Sequence, residues 1–436
     1  MKALWASTRS FSPAVQVLMG NQFAINLAFY MLMPYLAAHL AGPLGLAAWA
    51  VGLVLGVRNF SQQGMFLIGG TIADRFGCKK PIMAGCLLRT AGFALLGIVD
   101  SLPVLVIASA ATGFAGALFN PAVRAYLAAE AGTRRVEAFA TFNVYYQAGM
   151  LLGPLVGLAL LAADFRLVCL VAAGIFAALT LLQARALPTR HPGESGGAEG
   201  ESGGTADGSG GAADGRGVWA QWRTVVANRP FLLFSCAMIG SYVLTFQVYL
   251  ALPLAADEAL RARGAQVTSL LFVLSAAVAV AGQLRLTGWA KARWTHEQAL
   301  VRGLAVMGLA FLPLALCAAP GTGVAGGVQV AALAVTVAAL SVGSAVVYPF
   351  EMDTVVALSG NRLVATHYGL YNTVSGLGIT LGNLATGALW DYAARHQALW
   401  LVWAALALTG AACAGAVLAL ARTGRLTASA RLPAAA

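Results

Sequence analysis

Runs of about 20 apolar residues, each long enough to cross a hydrocarbon core, recur along the whole chain with short polar breaks between them. No other feature limits the fold so strongly. Twelve such runs are read, at 14–38, 48–70, 81–99, 103–128, 137–161, 166–187, 230–254, 267–286, 298–317, 328–354, 364–388 and 398–421. Inside lipid the backbone must satisfy its own hydrogen bonds, so runs of this length predict helices. Composition agrees: 59% of the 436 residues are hydrophobic and only 10% charged, against about 25% charged in a soluble chain. The expectation is an all-α membrane protein with twelve transmembrane helices in two pseudo-symmetric six-helix bundles.

A net charge of +11 would suggest nucleic acid in a soluble protein, but here the bases follow topology. Most of the 27 Lys and Arg fall at the N-terminus, in the even-numbered breaks and at the C-terminus, while Arg166, Arg261, Arg263 and Arg395 stand in the odd-numbered breaks. By the positive-inside rule both termini are cytoplasmic, and no nucleic-acid partner is expected. The first run is too long for a cleaved signal and lacks a small-residue cleavage pattern. The six cysteines include no CxxC pair, so neither a disulfide framework nor a metal site is indicated. No nucleophile elbow, phosphate loop or HExxH pattern occurs, so no enzyme activity and no cofactor are expected.

Between Pro188 and Val218 the chain turns to Gly, Ser and acids, a composition that cannot bury enough apolar surface to fold. This divides the chain into an N-terminal bundle at 1–187, a flexible cytoplasmic linker at 188–229, a C-terminal bundle at 230–421 and a cytoplasmic tail at 422–436. The halves repeat one another. Phe142, Asn143, Gly149, Gly153, Pro154 and Leu155 match Tyr371, Asn372, Gly378, Gly382, Asn383 and Leu384 at one constant offset, Phe119 to Pro121 match Val347 to Pro349, and Tyr30 with Pro34 matches Tyr249 with Pro253. Two repeated six-helix halves are a layout of secondary transporters, whose substrate site lies near the midplane at the repeat interface.

The stretch GGTIADRFGCKKP at 69–81 packs one acid and three bases between the second and third runs. Gly70, Asp74, Arg75, Gly77, Lys79 and Lys80 resemble the signature that the major facilitator superfamily carries between helices 2 and 3; Cys78 stands where that pattern often has Arg. The resemblance implies that Asp74 latches onto the N-terminus of helix 11 when the transporter faces outward. A carboxylate there needs a positive partner, either Arg75 or the positive end of a neighbouring helix. Gly149, Gly153, Pro154 and Gly157, in GMLLGPLVG, are similar to the GxxxGPxxG pattern of drug antiporters in this superfamily, while a plain packing face would use the same spacing. Further stretches resemble the MdtH-type multidrug-resistance subgroup: Gly56, Arg58 and Phe60 with Gln62 to Gly64, Arg89 in LLRTAGF, Asp164 to Cys169, and Gln247 in VLTFQVYLALP. The resemblance covers nearly all of the chain except the linker. It implies a monomeric, multi-pass protein of the bacterial inner (cytoplasmic) membrane, with a small-molecule substrate, protons and the lipid bilayer as partners.

Ionisable residues at membrane depth are expensive and mark function by default. Arg58 and Arg89 are two of these; Arg58 divides between a substrate or coupling role and a structural one, and Arg89, on a helix that faces outward in this fold, is read as structural. Helix 1 carries no acid, so the usual proton carrier of related antiporters cannot be transferred to it. Glu351 and Asp353, just past Pro349, are the acids nearest the expected path, and Arg124 in the matching helix is their candidate partner in a cytoplasmic gate. Asn26, Tyr30, Tyr146, Gln147, Gln247, Tyr249 and Asn372 are the candidate cavity lining, suited to broad recognition of amphiphiles. The function expected is proton-coupled efflux of lipophilic drugs or metabolites by alternating access, with transport of one defined polar or anionic solute as the alternative.

Overall fold

The computed structural model describes residues 2–187, 217–260, 264–319 and 325–426. The helices, in chain order, are α1 (Lys2–Arg9), α2 (Pro13–Ala41), α3 (Ala48–Gly64), α4 (Phe66–Phe76), α5 (Lys79–Ile98), α6 (Leu102–Ala131), α7 (Arg135–Leu161), α8 (Phe165–Ala186), α9 (Val218–Ala227), α10 (Arg229–Phe246), α11 (Ala251–Leu260), α12 (Gly264–Arg293), α13 (His296–Leu309), α14 (Leu312–Cys317), α15 (Gly326–Ser359), α16 (Val364–Arg395) and α17 (Trp400–Arg422). Each of the twelve apolar runs is helical over most of its length. Among the described residues nine helical stretches are long and apolar enough to cross a membrane, and one of them, Leu102–Leu161, holds both α6 and α7. Two further runs are α3 with α4, divided at Met65, and α16, whose polar residues include His367, Asn372, Thr373, Asn383 and Thr386.

The helix starts show local chemistry. Asp164 accepts the Arg166 N–H at 3.1 Å and caps α8, and Thr295 with Gln298 forms a capping box at the start of α13. Each gives a side-chain acceptor to an orphan N–H of the first turn. Pro121 in α6 and Pro154 in α7 sit inside helices, which a membrane bundle tolerates because neighbours satisfy the freed carbonyl. Beside the second of these, Tyr35 Oη donates to the Pro154 carbonyl at 2.7 Å and ties α2 to α7.

The chain forms two compact units. The first holds Met1–Ala138, Tyr145–Asn228 and Ser359–Thr373; in it α5 packs on α6 and α8, α3 and α4 pack on α6, and α2 packs on α8. The second holds Phe139–Val144, Arg229–Leu358 and Val374–Ala436, with α13, α10 and α14 against α17 and α11 against α12. The first turns of α16 thus belong with the N-terminal helices, and a short stretch of α7 with the C-terminal ones. A neutral polar network explains that stretch: Asn143 Nδ2 donates to Gln283 Oε1 at 2.8 Å, and Gln283 Nε2 donates to the Ala345 carbonyl at 2.6 Å and to Thr287 Oγ1 at 3.0 Å.

Residues 188–216 of the expected linker lie outside the described residues, as do 427–436 of the tail. The remainder of the linker departs from the flexible reading. α9 is a helix lying on the first unit, with Val225 buried and Trp222 Nε1 donating to Thr71 Oγ1 at 2.8 Å. Trp219, Trp222 and Val225 recur at helical spacing, which gives this short segment an apolar stripe that the Gly-rich sequence before it lacks.

Candidate functional site

The charged loop folds around close backbone contacts. A Cβ on Gly69 would land on the Ala117 carbonyl, and one on Gly70 on the Ala365 carbonyl, so α4 approaches both α6 and the start of α16 more closely than any larger residue permits. Gly369 answers from the other side, its space closed by the backbone of Phe66 and Leu67. This approach carries Asp74 to the first turn of α16. Its Oδ1 accepts the Ala365 N–H at 3.0 Å, and its Oδ2 accepts the Thr366 N–H and the Thr366 hydroxyl, each at 2.6 Å.

Asp74 is thereby a cap supplied from a distant helix, satisfying two orphan amides at the positive end of the α16 dipole. Of the two partners the sequence allowed, the helix end holds the acid; Arg75 is exposed and lies over the Phe76 ring at 5.8 Å. Loss of solvent pushes the Asp74 carboxyl up to about 6, while the Thr366 and Ala365 donors pull it back down. The remaining motif residues build the loop. Gly77 ends α4 at φ 80°, a left-handed conformation that favours glycine, Lys79 Nζ donates to the Ala184 carbonyl at 3.0 Å near the end of α8, and Lys80 is exposed.

The antiporter-like row packs α7 on α2. A Cβ on Gly149 would stand 2.5 Å from the Phe23 carbonyl oxygen, one on Gly153 2.7 Å from Tyr30 Cβ, and one on Gly157 on the Met31 carbonyl. Asn26 and Tyr30 are therefore wall residues of this seam. Asn26 Nδ2 also donates to the Gln22 carbonyl at 2.7 Å. Tyr146 and Gln147 are half-buried on the same helix.

Arg58 Nη2 donates to Asn59 Oδ1 at 2.6 Å, and its guanidinium stands 5.1 Å from the Phe29 ring centre. Arg89 turns inward: it is 5% exposed and lies 5.1 Å from the Phe29 centre and 5.4 Å from that of Phe176. Small residues on the helix packed against it make the room, since a Cβ on Gly116 would stand 3.0 Å from Arg89 Nη2 and 3.2 Å from Gln62 Cδ. Arg124 Nη1 donates to Asn372 Oδ1 at 2.6 Å within the first unit.

In the second unit Glu351 is buried, and Asp353 pairs with His296 at 3.0 Å, a histidine the sequence reading did not single out. Gln247 is fully buried and donates to the Val243 carbonyl at 2.9 Å and to Asn383 Oδ1 at 3.3 Å. Tyr249 is half exposed in an aromatic cluster with Phe246 and Phe272. Gln247 is fixed in place through its Nε2, whereas Tyr249 presents its ring. Between α10, α16 and α17 lies an apolar cavity of about 490 Å³, walled by Ile239, Val243, Gly378, Gly382, Leu406 and Thr409 among others.

The major facilitator superfamily profile matches residues 18–383. An uncharacterized MFS-type transporter of Mycobacterium tuberculosis is 54% identical over 404 residues, 92% of each chain. The multidrug resistance protein MdtH of Salmonella arizonae is 27% identical over 397 residues, 89% of each chain. Two solved structures share the fold: the fucose:proton symporter of E. coli, with TM-score 0.69 at 13% identity over 93% of this chain and 97% of that one, and the human organic anion transporter MFSD10, with TM-score 0.65 at 16% identity over 92% and 99%. With a family match across most of its length, a helical fold shared with solved members and the charged signature closed on α16, the chain belongs to the major facilitator superfamily and is a multi-pass membrane transporter, not an enzyme.

Proposed function

We propose that this transporter exports lipophilic drugs or metabolites by alternating access, driven by proton entry. The observation that carries the reading is the seam of Gly149, Gly153 and Gly157 against the α2 backbone, the arrangement built by the motif that resembles drug antiporters, in a chain also similar to MdtH. Asp74 supports the mechanism. A carboxylate latched on a helix N-terminus is a contact that forms or breaks as a unit, and a two-state element biased by such a contact is what a conformational cycle needs.

The rest of the reading is proposed on the same footing. Arg124 meets Glu351 or Asp353 as a cytoplasmic gate in the outward-facing state, protonation of the acid releases it, the chain works as a monomer, and both termini are cytoplasmic. A susceptibility panel over chemically diverse lipophilic drugs tests the function: deletion should lower resistance, overexpression should raise it, and a proton gradient should drive export from proteoliposomes. Unchanged susceptibility in both strains, with no transport in vesicles, rejects drug export. The second reading, one defined polar or anionic solute, is favoured by the guanidinium groups of Arg58 and Arg89 beside Phe29.

A further inference from the structure

Arg58 on α3 and Arg89 on α5 converge on one ring. Both guanidinium carbons lie 5.1 Å from the centre of Phe29 on α2, and the two like charges repel one another. Arg89 is 5% exposed, and among the described residues it makes no hydrogen bond and no ion pair; its Nε is buried without an acceptor. Arg58 spends one nitrogen on Asn59 and leaves Nε and Nη1 buried without acceptors. The Phe29 and Phe176 faces return part of the desolvation cost through cation–π contact. Burying an unpaired charge takes more than that. Two guanidinium groups with unused in-plane donors beside an aromatic face match one chemistry: a planar oxyanion held by forked N–H donors, next to an apolar body.

We propose that Arg58 and Arg89 are the recognition site for the carboxylate of an amphiphilic organic acid, with the acid's apolar body against Phe29. This rests on the reading of the chain as an exporter of lipophilic compounds and narrows it to those carrying a negative charge. The walls suit that occupant. Tyr30 and Tyr146 lie within electrostatic reach of Arg89, and Gly116 keeps Arg89 Nη2 and Gln62 from being crowded out.

The test is equilibrium dialysis on the full chain in phosphatidylcholine nanodiscs, with 1-naphthoate and the same-sized cation 1-naphthylmethylammonium as probes. Naphthoate should bind saturably and the cation about tenfold more weakly or not at all. Arg58→Gln and Arg89→Gln should each weaken naphthoate about tenfold without changing the cation, and Arg58→Lys should recover part of the loss. Where Arg89→Gln fails to fold, the less buried Arg58 carries the comparison. No saturable naphthoate binding, equal binding of the two probes, or unchanged affinity in the glutamine variants overturns the proposal. Complete displacement of naphthoate by chloride does so as well, because the site then holds a small inorganic anion. No gradient is present in this assay, so a failure of proton-driven export leaves its result untouched, and a failure here leaves the susceptibility panel standing.

Discussion

The two copies of the repeat keep the same small residues but use them against different surfaces. In the first, Gly149, Gly153 and Gly157 on α7 let α2 approach until a Cβ would meet the carbonyls of Phe23 and Met31 and the Cβ of Tyr30. In the second, Gly378 and Gly382 on α16 face the side chains of Ile239 and Val243 on α10, and Thr386 stands where Gly157 does. The apolar cavity lies along this second seam. The matched glycines therefore line a closed seam in one half and an open one in the other. The loops diverge in the same way. Asp74 reaches from the first to cap α16, whereas the last turn of α12 carries Lys291 and Arg293, no acid stands between them and His296, and α13 has a neutral cap at Thr295.

The largest effect should come from filling the closed seam. Gly149→Ala puts a methyl where only backbone can give way, so a loss of about 3 kcal/mol, the top of the usual range for overpacking, is expected. Gly382→Ala meets a valine side chain that can shift, so about 1 kcal/mol is expected, with recovery in the double variant carrying Val243→Ala. Thermal melting of the purified proteins reads both. Equal losses at Gly149 and Gly382 would erase the distinction between the seams.

The loops come next. Asp74→Asn has a single acceptor oxygen for three donors and turns its NH₂ toward an amide, and hydrogen bonds to a charged group are worth about 1.5–3 kcal/mol. Transport should fall at least about tenfold with expression near normal, while Lys291→Gln should stay within about twofold, as surface charges usually do. Vesicle uptake measured for both variants decides it. Full activity in Asp74→Asn would reduce the acid to a topology signal.

The sequence exposed the architecture because lipid permits so few solutions: a run of apolar residues long enough to cross has to be helix, and the polar breaks fix the count. It exposed Asp74 because a lone acid at fixed spacing among glycines and bases has few uses. It could not expose the donors to that acid. Two of them are backbone N–H groups of Ala365 and Thr366, and any residue supplies those. The surroundings of Arg89 stayed hidden for a related reason: a helix that faces outward on average still turns some positions inward, and only the packing of Gly116 and Phe29 around that side chain shows which. His296 became visible as the partner of Asp353 only once α13 and α15 were side by side.

The smallest effect is one of pH, and it sharpens the contrast between the loops. Enclosure raises Asp74 to about 6 in the latched form, whereas a solvated aspartate titrates near ~3.9. The latched form therefore binds the proton more tightly, and by linkage its stability relative to the released form grows as pH falls through about 6, levelling off near 4. The donors at Ala365 and Thr366 oppose this, but solvent loss outweighs them. Between pH 7.5 and 5.5 the latch should gain about fourfold in population ratio. Hydrogen exchange of the Ala365 and Thr366 amides, corrected for the intrinsic rate, should show that gain in protection, and Asp74→Asn should abolish it. Protection at 365–366 that stays flat or falls as the pH drops would mean that the charge-assisted bonds outweigh the cost of enclosure, and that Asp74 closes the loop without sensing protons.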